Sequence, residues 1–314
     1  MATATTEQIN APDETYLLEW IPLNKLSFID LHANPNAIHI LEANLDKIDW
    51  DKIVYNNSAG ELLEAHQDKI TNWDAVSYNE SAVSVLEANL DKINWMNLSL
   101  NENAYHLMQT NINALNWHIL SGKPEAIHLL DANPEKIKWK NLSHNPSAIH
   151  LLEANPEKIN WSNLSRNPSA IHLLEANQDK IDWGNLSFNP SAIHLLEANQ
   201  DKINWENLTA NPNSGYLFET NPDKFHWTLS INRDPSIINM LHRHLNKVDW
   251  NWLSGNPMAI PILEENPEKI VWKVLSGNPS AMQLLEANQD KIDWERLSRN
   301  PSIFDFSKYD VVLK

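Results

Sequence analysis

The sequence predicts an all-α fold: an α-solenoid of about twelve 22-residue repeats, each with two short helices, capped at both ends. Three observations predict it. Tryptophan recurs as a ruler at Trp50, Trp73, Trp95, Trp117, Trp139, Trp161, Trp183, Trp205, Trp227, Trp250, Trp272 and Trp294, in steps of 22 residues apart from two steps of 23. The string NPSAIHLLEANPEKINWSNLSR at Asn145 returns almost letter for letter at Asn167 and Asn189. Each unit also carries two Asn-Pro or equivalent starts, such as Asn145-Pro146 and Asn155-Pro156. A fixed period of this kind marks a stacked array, in which every unit buries its apolar face on its neighbours. Leucine-rich repeats have a similar period but need an alternating strand, whereas these units offer helix starts instead.

Within a unit, asparagine before proline is a helix start, because the amide side chain caps free N–H groups and proline suits the first helical position. The first helix is predicted over Pro146 to Ala154, where Ala148, Ile149, Leu151 and Leu152 form one apolar stripe. His150 falls in line with Ser147 and Ala154, away from that stripe. A second start opens one turn from Pro156 to Ile159, and Asn160 or its counterpart Asp182 caps a last segment running from Trp161. Helices this short are marginal alone, so packing between units must hold them.

Taken in order, residues 1–13 read as a flexible arm and 14–33 as an N-terminal cap containing TYLLEWIP. The array follows over 34–300. Its copy between Trp50 and Trp73 has an inserted residue and a glycine, Gly60, near an apolar position, which predicts a local irregularity. The unit from Asn211 carries Ser214-Gly215-Tyr216, and the next begins Asp234-Pro235 with the second length change. Residues 301–314 read as a C-terminal cap, with Phe304, Phe306, Tyr309, Val311, Val312 and Leu313 covering the last exposed core.

Twenty-four basic against 41 acidic side chains leave a net charge of −17. That balance disfavours nucleic acid and anionic lipid and favours a basic protein partner. The chain has no cysteine, hence no disulfide, thiolate metal site or thiol nucleophile. No run of eighteen apolar residues occurs and the start lacks the regions of a signal peptide, so an intracellular protein away from the membrane is expected.

The pattern NP-x-AI-x-LLE-x-N-x-x-KI-x-W-x-x-LS, as in Asn167 to Ser187, resembles the 22-residue short-repeat proteins of giant DNA viruses of the mimivirus kind. The resemblance covers roughly Asn34 to Pro301. It implies a viral origin and the repeat architecture, with the host cytoplasm or the virion as location. It brings no catalytic residue, since the family has no assigned reaction.

Five histidines, His106, His128, His150, His172 and His194, occupy one position of the first helix in consecutive copies. Neighbouring units lie roughly 8–10 Å apart, too far for two of these imidazoles to share one zinc at about 2.1 Å each. The row therefore reads as a solvent-reachable contact stripe, not a metal site. Trp139, Trp161, Trp183 and Trp205, in phase with Leu152 and Leu164, read as structural core. Trp252 and Tyr216 stand outside the consensus and are expected at the surface. Recurrent Glu153, Glu175, Glu197 and Glu286, with lysines such as Lys158 and Lys180, read as solvated faces. The Asn-Leu-Ser and Asn-Leu-Thr tripeptides at Asn97, Asn141, Asn163, Asn185 and Asn207 read as helix repeat, not glycosylation sites.

No phosphate loop, dinucleotide fingerprint or catalytic motif is present, so no catalytic residue and no cofactor are assigned. The sequence points to a non-enzymatic scaffold for protein–protein interaction. A scaffold predicts one face of varied residues on a constant frame. The alternative is a structural component of a giant-virus particle or its assembly, which predicts self-association through the end caps.

Overall fold

The computed structural model describes residues 16–225, 227 and 235–306. Among them there is no strand, only one isolated antiparallel bridge between Leu17 and Phe304. The protein is an all-α repeat solenoid of short helices at regular spacing. Two compact units form, one from Met1–Ala104 with Trp250–Lys314, the other from Tyr105–Asp249. The expected N-terminal arm, Tyr309 to Leu313 and Asp234 lie outside the described residues.

In the second unit the repeat at Asn145 shows how the local sequence becomes structure. Asn145 Oδ1 accepts from the Ser147 N–H, and the tight turn Pro146–Ala148 leads into the first helix, Ile149–Ala154. A second tight turn, Pro156–Lys158, precedes the second helix, Trp161–Leu164. Asn160 caps that helix through Asn163 N–H at 2.9 Å, and Asp182 caps its counterpart through Asn185 N–H at 3.1 Å. Asn155 departs from the expected role of N-cap. Its Nδ2 turns back to the Leu151 carbonyl at 2.9 Å and closes the end of the first helix, while its Oδ1 accepts from Lys158 Nζ. A helix end leaves carbonyls without partners, and this amide satisfies one of them.

Neighbouring repeats are joined by two buried polar ladders. Asn167 Nδ2 donates to the Ser143 and Asn145 carbonyls at 3.2 and 3.0 Å, and Asn189 repeats this on Ser165 and Asn167. Ser165 Oγ donates to the Trp161 carbonyl at 2.8 Å and accepts from the Asp182 N–H at 3.0 Å, seventeen residues on. Asn167, Asn189 and Ser165 are fully buried, so each bond supplies a buried backbone group with the partner that water cannot provide there.

Leu152 and Leu164 are fully buried, as expected of core. The expected burial of the ruler tryptophans is corrected: Trp139, Trp161, Trp183 and Trp205 are half-buried. Lys158, Lys180 and Lys202 lay their ammonium groups over Trp139, Trp161 and Trp183 at 4.4–4.6 Å from the ring centres, so a flexible cation, not more core, covers these rings. Each lysine belongs to the following repeat and also reaches an asparagine such as Asn155 or Asn177.

In the first unit the extra residue of the second copy falls between Ile70 and Trp73, at exposed Thr71, and the asparagine ladder passes it intact. Asn79 Nδ2 reaches Val54 and Asn56 carbonyls at 2.7 and 3.2 Å. Gly60 is buried there, and a Cβ on it would stand 2.1 Å from the Ser81 carbonyl oxygen, so only glycine allows that approach.

The two expected caps lie against each other within this unit. Residues 300–304 supply the first half of a repeat, with Asn300 capping the turn Pro301–Ile303. Residues 17–33 supply the second half, with the turn Leu23–Lys25, the helix Phe28–Leu31 and Phe28 in the place of the ruler tryptophan. Leu18 N–H donates to the Ile303 carbonyl at 2.9 Å. Ser27 N–H donates to Ser298 Oγ at 2.8 Å, as a following repeat would. Arg299 grips Asp30 through Nε at 2.7 Å and through Nη2 as well.

Candidate functional site

Two rows of side chains project from the helices, one constant and one varied. On the first helix, His106, His128, His150, His172 and His194 are exposed, which agrees with a solvent-reachable stripe. His150, His172 and His194 each meet an acid of the preceding repeat. His150 Nε2 lies 3.0 Å from Asp131 Oδ1, His172 Nε2 2.9 Å from Glu153 Oε1, and His194 Nε2 2.9 Å from Glu175 Oε1. Imidazoles and acids read separately from the sequence thus form one ladder between neighbouring repeats. In the first unit Ser84 takes the histidine position and its hydroxyl donates to Glu64 at 2.8 Å. The signal was present as a constant offset of nineteen residues from acid to imidazole.

His39 holds the same position in the first copy but is half-buried, with its ring edge-on to Tyr16 and Phe304 at 5.1 Å. Burial holds its pKa below the ordinary value, only partly offset by a bond to the Asn36 backbone.

The second row was not identified from the sequence. The residue one position after each ruler aromatic lies on the second helix, and the residue five positions after it closes or follows that helix, as Ser162 and Arg166 do around Trp161–Leu164, where the Arg166 N–H bonds the Asn163 carbonyl and continues the turn. In the first unit they read Ile29 and Ala33, Asp51 and Tyr55, Asp74 and Tyr78, Met96 and Leu100, then Asn251 and Gly255, Lys273 and Gly277, Glu295 and Arg299. In the second unit they read His118 and Gly122, Lys140 and His144, Ser162 and Arg166, Gly184 and Phe188, Glu206 and Ala210. Charge, size and aromaticity all change from copy to copy. The frame beneath does not: each pair sits between a half-buried or buried aromatic and a buried leucine or its equivalent.

This row holds four of the exposed large apolar side chains, Ile29, Tyr55, Met96 and Leu100. Members of successive repeats touch. The Arg166 guanidinium lies over the Phe188 ring at 4.3 Å, and Tyr55 and Tyr78 rings are 6.0 Å apart. A cleft of 310 Å³ lies beside Gly122, Asn141, His144, Asn163 and Arg166. Burial, then the Arg166 cation, holds His144 below its ordinary pKa. Burial, then Tyr55, pushes Tyr78 up. Asp182, a cap beneath this row, is pushed up by burial, but the Ser162 hydroxyl and the Asn185 and Gly184 amides outweigh that and hold its carboxyl below the usual range.

Tyr216 is exposed as expected, whereas Trp252 is half-buried like Trp139, Trp161, Trp183 and Trp205. The tripeptide asparagines donate into the array, Asn163 Nδ2 to the Lys140 carbonyl at 2.7 Å and Asn207 Nδ2 to the Gly184 carbonyl at 2.9 Å. Among the described residues no three histidine or acidic side chains gather where they could hold a metal ion. No described helix is long and apolar enough to cross a membrane. Comparison with family models, curated proteins and solved structures found no match. The fold and the two rows thus define an all-α repeat solenoid bearing a constant polar ladder and a varied column.

Proposed function

We propose that this protein is a non-enzymatic scaffold for protein–protein interaction, and that the varied column on the second helix is its contact face. The observation that carries the reading is the contrast between that column and the buried asparagine, serine and leucine positions under it. Residues needed for folding repeat; residues free of that duty differ, as a surface recognising a particular partner requires. The histidine stripe stays as a second face, but its imidazoles at His150, His172 and His194 already have carboxylate partners. The charge of −17 favours a basic partner.

Viral origin belongs to the same proposal and rests on the resemblance of Asn167 to Ser187 to the giant-virus repeats, with the host cytoplasm as location. The rival reading, a particle component that polymerises through its caps, has less support because the described end segments engage each other. The test is affinity capture with cross-linking from infected cells, comparing the parent with a variant carrying Lys140→Ala, His144→Ala, Arg166→Ala and Phe188→Ala. Loss of a specific partner in the variant supports the column. Loss only on replacing His150, His172 and His194 moves the contact face to the stripe, and self-association of the parent into filaments favours the structural role.

A further inference from the structure

The varied column of the first unit has a chemistry of its own. Tyr55 and Tyr78 stand side by side, their ring centres 6.0 Å apart and their planes tilted by 48°. Four residues before each tyrosine stands an aspartate, Asp51 and Asp74, both exposed. One oxygen of each carboxylate is engaged, Asp51 Oδ1 by the Thr71 hydroxyl at 2.5 Å and Asp74 Oδ1 by Asn94 Nδ2 at 2.8 Å. The other oxygens have no partner among the described residues. Ile29 lies on one side of this group and Met96 on the other, exposed by 63 and 60 % respectively.

The nearby cations do not neutralise the two aspartates. Lys52 is held by Asp49 at 2.8 Å, and Arg299 by Asp30. Two adjacent aromatic rings, each with a carboxylate beside it, and apolar side chains at either end therefore form an acidic aromatic patch. A guanidinium suits it better than an ammonium, because its plane stacks on a ring while its edge donates to a carboxylate. The chain makes half of this contact itself in its second unit: Arg166 and Phe188 occupy the column positions equivalent to Tyr55 and Tyr78, and there the guanidinium lies over the ring.

We infer that Asp51, Tyr55, Asp74 and Tyr78 form a docking site for an arginine side chain on a protein partner, with apolar residues flanking that arginine to cover Ile29 and Met96. The inference rests on the column being the contact face and adds what the partner must present. An extended segment advances roughly 10 Å in three residues, close to the roughly 8–10 Å between packed helices. Ile29 and Met96 each lie about one and a half such spacings from the midpoint of the Tyr55–Tyr78 pair, so the segment carries its apolar residues about four positions to either side of the arginine.

The test is selection of a random-peptide display library on the full-length protein, followed by titration of a synthetic selected peptide and its Arg→Gln form. Circular dichroism first checks that the Asp51→Asn/Asp74→Asn and Tyr55→Ala/Tyr78→Ala variants keep the parent fold. The selected peptides should share an arginine between apolar residues. Either double variant, and the Arg→Gln peptide, should weaken binding by about tenfold or more, while His172→Ala leaves it unchanged. Selected peptides without arginine, binding indifferent to both variants, or no selected peptide would each overturn the site. Peptides that instead lose binding with Lys140→Ala or Arg166→Ala would overturn this site and leave the scaffold reading standing. A failed capture experiment beside a successful peptide selection would do the reverse.

Discussion

Asn34 Nδ2 donates to the Asn300 carbonyl at 3.0 Å and to the Ser298 carbonyl at 2.9 Å, which are the bonds that Asn189 makes to its preceding repeat inside the array. The likeness extends further. Lys25 covers the Trp294 ring at 4.7 Å as Lys180 covers Trp161 at 4.6 Å. One repeat of the first unit is thus assembled from both ends of the chain. Asn34→Ala should destabilise the protein by about as much as Asn167→Ala, roughly 1–3 kcal/mol each, because the changes take the side-chain donor from the Ser298 and Ser143 carbonyls respectively and leave the Asn300 and Asn145 carbonyls with only their turn bonds. Chemical denaturation compares the two; a silent Asn34→Ala would mean that the end junction contributes nothing to stability.

The two glycine positions Gly60 and Gly122 should respond in opposite directions to alanine. At Gly60 the new Cβ would meet the Ser81 carbonyl at 2.1 Å, and a shift of backbone costs roughly 1–3 kcal/mol or more. At Gly122, the last residue of the helix Trp117–Gly122, the nearest atom would be the Asn141 carbonyl oxygen at 3.8 Å, an ordinary contact. There alanine should stabilise by about 0.5–1 kcal/mol. Thermal melts of the two variants check both signs.

His32 stands where later copies carry the ladder serine, and its Nε2 accepts the Asp49 N–H at 3.0 Å while Nδ1 meets the Phe28 carbonyl at 3.0 Å. Burial lowers its pKa from 6.5, against weaker opposing effects of the Phe28 and Ile29 carbonyls and Asp49, with Lys52 acting in the same direction as burial. A base kept neutral in the fold binds fewer protons folded than unfolded, so its contribution is complete above pH 6.5 and is lost as the pH falls below it. His32→Ser keeps an acceptor for Asp49 and should flatten the fall in stability between neutral and mildly acid pH. His39 and His144, also held low, retain part of that slope. Denaturant midpoints measured across the range test it; an unchanged slope would exclude His32 as a contributor.

His172 and Glu153 are more than half exposed, so their contact at 2.9 Å should contribute only about 0–1 kcal/mol. A double-mutant cycle with alanine at each position measures this directly. A coupling well above that range would mean that the ladder helps to hold neighbouring repeats together.

Leu164→Ala should cost roughly 2–5 kcal/mol, whereas Lys180→Ala, which uncovers one face of Trp161, should cost well under that. Trp161→Ala should fall nearer the lower end of the leucine range than a fully buried tryptophan would, since the ring is half-buried. Acrylamide quenching of tryptophan fluorescence should rise in Lys180→Ala if the lysine shields the ring.

What the sequence alone determines follows from the range of each interaction. The Asn145 and Asn160 caps, the turn at Pro146, the helix over Ile149–Ala154 and the burial of Leu152 and Leu164 depend on residues within a few positions, so the 22-residue pattern determined them. Histidines on the first helix also came out exposed, because a helix turns by a known angle per residue. Other features involve partners about twenty residues away or at the opposite end of the chain. The inward turn of Asn167 Nδ2 onto two carbonyls, the pairing of His172 with Glu153, the lysine over each tryptophan and the meeting of Asn34 with Asn300 are of this kind. A repeat pattern says that units stack; only the tertiary structure sets which atoms come within hydrogen-bonding distance once they do, since that depends on a packing offset no single unit contains.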